Sequence, residues 1–241
     1  MDIINFILTS VLCFIISSTV HELGHLLMGL AQGFRFYLLI VGPFGLKRDE
    51  DDKVVLYLEK NLSLWGGIGA TVPQRDDSGN FRRFGRVLLA GPIASLLFGV
   101  FWLPFGIRTD NVFFWLLGAM PLAMGAACLI PSRNGAFYSD GGRWLRMRNE
   151  STRAQEVAIW SINQSAILHG GYAKVDLVQI GVLINDSDQR TAYLGHYYAY
   201  CHYRDISDTN RMEIECAELA RLKTSVPKQM AVMFNTDKAT I

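Results

Sequence analysis

Charge is the scarcest resource in this sequence. Of 241 residues, 19% are charged and 50% are apolar, whereas ordinary soluble domains carry about 25% charge. A fold solvated by water over its whole length is therefore not expected. A surplus of positive charge is also lacking: the formal net charge is +1. No basic surface draws the chain to nucleic acid through phosphates, and nucleic-acid partners are excluded. The four cysteines, Cys13, Cys128, Cys201 and Cys216, form no CxxC pair and lack the dense spacing of a disulfide scaffold. Cys13 and Cys128 stand inside apolar runs, where cysteine behaves as a small hydrophobe. A basic lead is missing too, since the first apolar run follows Asp2 and no small-x-small cleavage pattern comes after it. The run is expected to be a retained membrane span rather than a signal peptide.

What the sequence does have is apolar length, and most of it lies before residue 131. Crossing a hydrocarbon core takes about 20 mostly apolar residues in a helix. Three stretches qualify, at about 3–30, 84–107 and 112–130. The second holds Gly91, Ala94, Ser95 and Gly99, small residues that predict a helix-packing face. Between the first two spans, the polar KRDEDDK leads into VVLYLEKNLSLWGGIGATVPQ, rich in β-branched and aromatic residues and broken by glycine. This predicts a β-hairpin or short sheet dipping toward the membrane. Arginine and lysine gather at 35, 47 and 48, at 75, 82, 83 and 86, and at 143, 146 and 148, while Arg108 alone lies in the opposite loop. Basic residues stay on the cytoplasmic side. The reading is a multi-pass protein of the cell membrane with its N-terminus outside.

From Asn149 onward the chain is polar enough to fold in water, with helices expected at 151–168, 173–184, 189–204 and 209–223. The organisation predicted is a membrane-embedded core over 1–148 and a cytoplasmic helical domain over 149–241. TAYLGHYYAYC resembles the first helix of a tetratricopeptide repeat in part, and a helical hairpin packing its own aromatics fits it equally well. His169, His196 and His202 lack ligand spacing and read as satisfied structural histidines.

The first span carries VHELGH. His21 and His25, four residues apart, project from one helix face, so two imidazoles can reach one Zn²⁺. Glu22 beside them can activate the attacking water and return its proton to the leaving amine. Three ionisable groups in an apolar span are costly unless they pair or bind metal, which marks the cluster as functional. A catalytic zinc needs a third protein ligand and keeps a fourth position open. After span three, in LIPSRNGAFYSDGGRWL, Pro131 ends the helix and Asp140 precedes Gly141 and Gly142. A carboxylate is a normal zinc ligand, and the glycines allow close backbone approach.

VHELGH in a first span, AGPIAS in a second, and a proline followed by SDGGR after a third resemble the site-2 protease family over about residues 15–148. The resemblance implies a mainly α membrane protein with a three-helix catalytic core. It further implies zinc held by His21, His25 and Asp140, Glu22 as general base, and cleavage of substrate segments in or beside the bilayer. Membrane-protein substrates, the lipid bilayer and a protein partner for the C-terminal domain are the expected associations. The sequence departs from the family where an asparagine usually stands three residues before the last proline: here it has Cys128. A thiol is a poor donor, and Asn134, Ser139 and Arg143 are the candidates to replace that side chain. The linker residues SRNGAF read as a loop. In the hairpin, Gly66, Gly67 and Gly69 are candidates for holding a substrate-binding strand edge near the metal, and a hairpin that merely fills the gap between helices fits as well. Three rivals stand beside this reading. They are an inactive relative serving as receptor or chaperone, a membrane protease with Glu150 or Glu156 as third ligand, and a zinc carrier.

Overall fold

The structure is a computed structural model and describes residues 2–49, 51–75 and 77–234. It divides into two compact units, Met1–Pro131 with Ser139–Trp144, and Ser132–Tyr138 with Leu145–Ile241. Most of the chain is helical.

The first unit opens with α1 (Ile3–Ala31), started by Asp2, whose carboxylate accepts the Asn5 backbone N–H at 2.8 Å. The amphipathic pattern of α1 is inverted. Its buried residues, among them Ser17, Ser18, His21, Glu22 and His25, are largely polar, while Ile3, Ile4, Leu8 and Leu27 are more than 60% exposed. A helix in water hides its apolar stripe, and this one hides its polar stripe. Helices α2 (Asn80–Thr109) and α3 (Val112–Leu129) pack on it and on each other. All three are long and apolar enough to cross a membrane. Pro92 and Pro104 in α2 and Pro121 in α3 lie within helices, a placement membrane helices tolerate because neighbouring groups satisfy the freed carbonyls.

Between α1 and α2 the chain builds more than a hairpin. Strands β1 (Phe34–Val41), β2 (Phe44–Arg48), β3 (Val54–Leu58) and β4 (Ile68–Pro73) form one antiparallel sheet in the order β3-β2-β1-β4. β1 is central, pairing Leu39 with Leu46 on one side and with Gly69 on the other. That leaves β4 at an edge, packed with β1 against α1.

The second unit begins with β5 (Arg133–Asn134) and β6 (Phe137–Tyr138), an antiparallel pair in the stretch read from sequence as a loop. Helix α4 (Asp140–Arg148) carries the chain across from the first unit. Helices α5 (Glu150–His169), α6 (Leu177–Ile184), α7 (Gln189–Asp205) and α8 (Thr209–Leu222) follow, each packed on the next, and α9 (Lys228–Met233) ends the described chain. Their core holds Ile162, Ile180, Leu183, Tyr193, Leu194, Tyr198 and Leu219. Asn149, Asp176, Asp188 and Asp208 cap the four helices through side-chain oxygens. The Asp176 cap starts α6 at 177, four residues later than the apolar pattern predicts. Within this unit Glu156 is fully buried and accepts from Arg146 Nε at 2.7 Å.

Candidate metal centre

A separation of four residues, just over one helical turn, brings His21 and His25 to one side of α1, where their rings meet edge to face at 4.9 Å. Asp140, the first residue of α4, reaches the same point. The Nε2 atoms of His21 and His25 are 3.3 Å apart, and Asp140 Oδ2 lies 3.4 Å from one and 3.5 Å from the other. Zinc bonds of about 2.0–2.1 Å put the corners of a tetrahedron about 3.3–3.4 Å apart. The three atoms thus form one face of a zinc-sized tetrahedron.

The partners of the other ring nitrogens bear on what the triangle could hold. His25 Nδ1 donates to the Val87 carbonyl at 2.8 Å, and a carbonyl can only accept, so in the neutral ring Nε2 carries a lone pair. His21 Nδ1 bonds the Ser95 hydroxyl, which is fully buried, at 3.0 Å. With a carbonyl behind His25 and a hydroxyl behind His21, both rings can turn an Nε2 lone pair toward the Asp140 carboxylate, an acceptor set that a cation would satisfy. The residues present fit zinc by donor type, spacing and the partners behind each imidazole.

Glu22 is 8% exposed and lies along β4. A Cβ on Gly67 would fall 2.7 Å from Glu22 Oε1, and one on Gly69 would fall 3.0 Å from Oε2, so both positions need glycine. The Gly69 N–H also donates to this carboxylate. Together His21, Glu22, His25 and Asp140 line a cavity of about 380 Å³ whose other walls include Gly67, β4 from Ile68 to Thr71, Phe84, Val87, Leu88 and Arg143. The Arg143 guanidinium lies over the Phe84 ring at 5.0 Å.

The remaining sequence candidates divide. Gly67 and Arg143 face the cavity. The Gly66 carbonyl accepts from Ser18 Oγ at 2.6 Å, a tie between strand and helix. Ser139 accepts the Gly142 N–H at 3.2 Å and donates to the Ile130 carbonyl at 2.7 Å, which is the work of a helix cap. Asn134 pairs with Phe137 in the β5–β6 hairpin of the second unit. Gly141 faces the Leu129 carbonyl so closely that a Cβ would lie 2.0 Å from it, the reason for a glycine after Asp140. Of the proposed alternative ligands, Glu156 is committed to Arg146.

Some site residues carry no obvious sign in the sequence. Gly91 and Ser95 sit in the run read as a packing face, yet Ser95 holds His21 and a Cβ on Gly91 would fall 2.3 Å from His25 Nε2. Cys128, read as a small hydrophobe, has its Sγ in a cluster with His21 and Asp140 whose ligand atoms lie within 4.8 Å of one another. The AGPIAS motif was the available signal for Ser95; the Val87 carbonyl had none. No family model, curated protein or solved structure matches the chain.

Proposed function

We propose that the chain is an intramembrane zinc metalloprotease, hydrolysing peptide bonds in or near the transmembrane segments of membrane-protein substrates. The observation that carries this reading is the triangle of three acceptor atoms, 3.3 to 3.5 Å apart, with Glu22 on the wall of the same cavity. In this reading α1, α2 and α3 are the catalytic core within the bilayer, and the second unit faces the cytoplasm, where it binds a partner or governs substrate access.

His21, His25 and Asp140 would hold the zinc, which when bound supplies Lewis acidity to polarise the scissile carbonyl and acidify water. Glu22 accepts the proton of the attacking water and delivers it to the departing amine. The Gly69 N–H keeps the carboxylate aimed while leaving its second oxygen for proton transfer. Ser95 and Val87 hold the imidazoles so that Nε2 faces the metal. β4 ends the sheet and borders the cavity, so a substrate in extended form can add along its edge. The apolar walls Ile68, Val87 and Leu88 suit a substrate drawn from a membrane segment.

The test is metal analysis and cleavage of a single-span substrate by detergent-purified full-length protein. Wild type and Glu22→Gln are expected to carry stoichiometric zinc, Asp140→Ala to lose it, and wild type alone to cleave. A zinc-free wild type would sink the proposal. Zinc retention without cleavage by the wild type would favour a receptor or chaperone.

A further inference from the structure

The departure at Cys128 acquires a meaning from its position. Cys128 is in the last turn of α3, and its side chain is half-buried. Rather than turning to lipid, its sulfur shares a cluster with a ring nitrogen of His21 and a carboxylate oxygen of Asp140, all within 4.8 Å. His21, His25 and Asp140 account for three corners of a tetrahedron and leave one. With bonds of about 2.3 Å to sulfur and 2.0–2.1 Å to nitrogen or oxygen, a tetrahedral sulfur stands about 3.6 Å from the other donors. Toward His21 and Asp140 the remaining gap is on the order of 1 Å, within reach of a change in the Cys128 side-chain torsions. A thiolate is also a preferred zinc ligand.

We propose that Cys128 is a displaceable fourth ligand that closes the metal centre at rest. This inference rests on reading the His21–His25–Asp140 triangle as a metal site. Four protein ligands make a closed centre, three make an open one, so a chain holding its metal through Cys128 is latent until a substrate group takes the thiolate's place. Binding through sulfur releases the thiol proton to solvent, and a proton from solvent returns to the sulfur when the thiolate is displaced. Latency of this kind suits an enzyme embedded among many potential substrates.

The experiment is absorption spectroscopy of the full-length protein in detergent after substitution with Co²⁺. Wild type is expected to show a thiolate-to-cobalt charge-transfer band in the near ultraviolet together with visible ligand-field bands. Cys128→Ala and the more conservative Cys128→Ser should both lose the charge-transfer band and keep the ligand-field bands. Adding a peptide hydroxamate to the wild type should abolish the band as the thiolate leaves. Ligand-field absorption without a charge-transfer band in the wild type would overturn the inference and leave the metal centre standing. A band that persists in both variants would assign the sulfur to another cysteine and overturn it as well. A wild type that takes up no cobalt would remove the metal centre itself, and this inference with it.

Discussion

In the proposed metal centre, Ser95 and Gly91 would act without touching the metal. The Ser95 hydroxyl is the partner of His21 Nδ1 at 3.0 Å, and its removal leaves a buried imidazole nitrogen free to turn. Loss of such a partner typically costs 10–100-fold in metal affinity. Ser95→Ala is therefore expected to weaken zinc binding by roughly 10–100-fold in a chelator competition while the helices persist by circular dichroism. Gly91 acts by absence. A methyl there would fall 2.3 Å from His25 Nε2, so Gly91→Ala must either push α2 from α1 or rotate the imidazole off the metal. Overpacking of this kind costs about 1–3 kcal/mol. Measured zinc content is expected to fall in Gly91→Ala, and full occupancy would show that α2 yields more easily than the contact implies.

Among the elements, β4 has two duties, because its inner face packs on Glu22 and its outer edge is free of strand partners among the described residues. Gly69→Ala would press on the Glu22 side chain without touching a metal ligand. An added Cβ would also meet the Glu22 backbone carbonyl at 2.7 Å; the expected result is retained zinc with cleavage reduced by up to ~10²-fold, since about 1 Å of misplacement in a catalytic group can cost that much. Loss of zinc in this variant would mean that β4 supports the ligands rather than the base. The helices of the second unit depend on their caps. Asp188 accepts from the Arg190 and Thr191 N–H groups and pairs with Arg133. Burial raises its carboxyl, and these partners outweigh burial and lower it. A carboxyl lower in the folded state than in the unfolded stabilises above the unfolded value of about 4 and loses that contribution as pH falls through the folded value. Asp188→Ala should cost about 1 kcal/mol at neutral pH. The difference from wild type should shrink as thermal unfolding is followed into more acidic buffer.

At the scale of the whole molecule, the inverted burial of α1 and the exposure of Leu97, Val100, Phe101 and Ile107 on α2 leave apolar surface that only lipid or other protein can cover. The topology proposed from the basic residues has the α2–α3 turn outside. In a background with the native cysteines replaced, Asp110→Cys is expected to react with a membrane-impermeant maleimide added to intact cells, and Asp208→Cys only after permeabilisation. The reverse pattern would invert the assigned topology and with it the cytoplasmic placement of the second unit.

Local chemistry determined what could be read from the sequence alone. The turn spacing of His21 and His25, the three apolar lengths, the helix start near 209 and the Asp140–Gly141 pair all act over a few residues, so neighbouring letters carry them. Strands β1 and β2 were hidden because FRFYLLIV follows span one after only Gln32 and Gly33, and its central place in the sheet comes from pairing with β4 as well as with β2. The tertiary structure also decided which candidates turn toward the cavity. Ser139 looked available beside Asp140, but its hydroxyl is taken up in capping α4. The Val87 carbonyl, like any backbone oxygen, has no signature in a string of side chains. Its meeting with His25 across 62 residues, like that of Gly69 with Glu22 and Cys128 with His21, exists because helices and sheet pack at distances that no local pattern encodes.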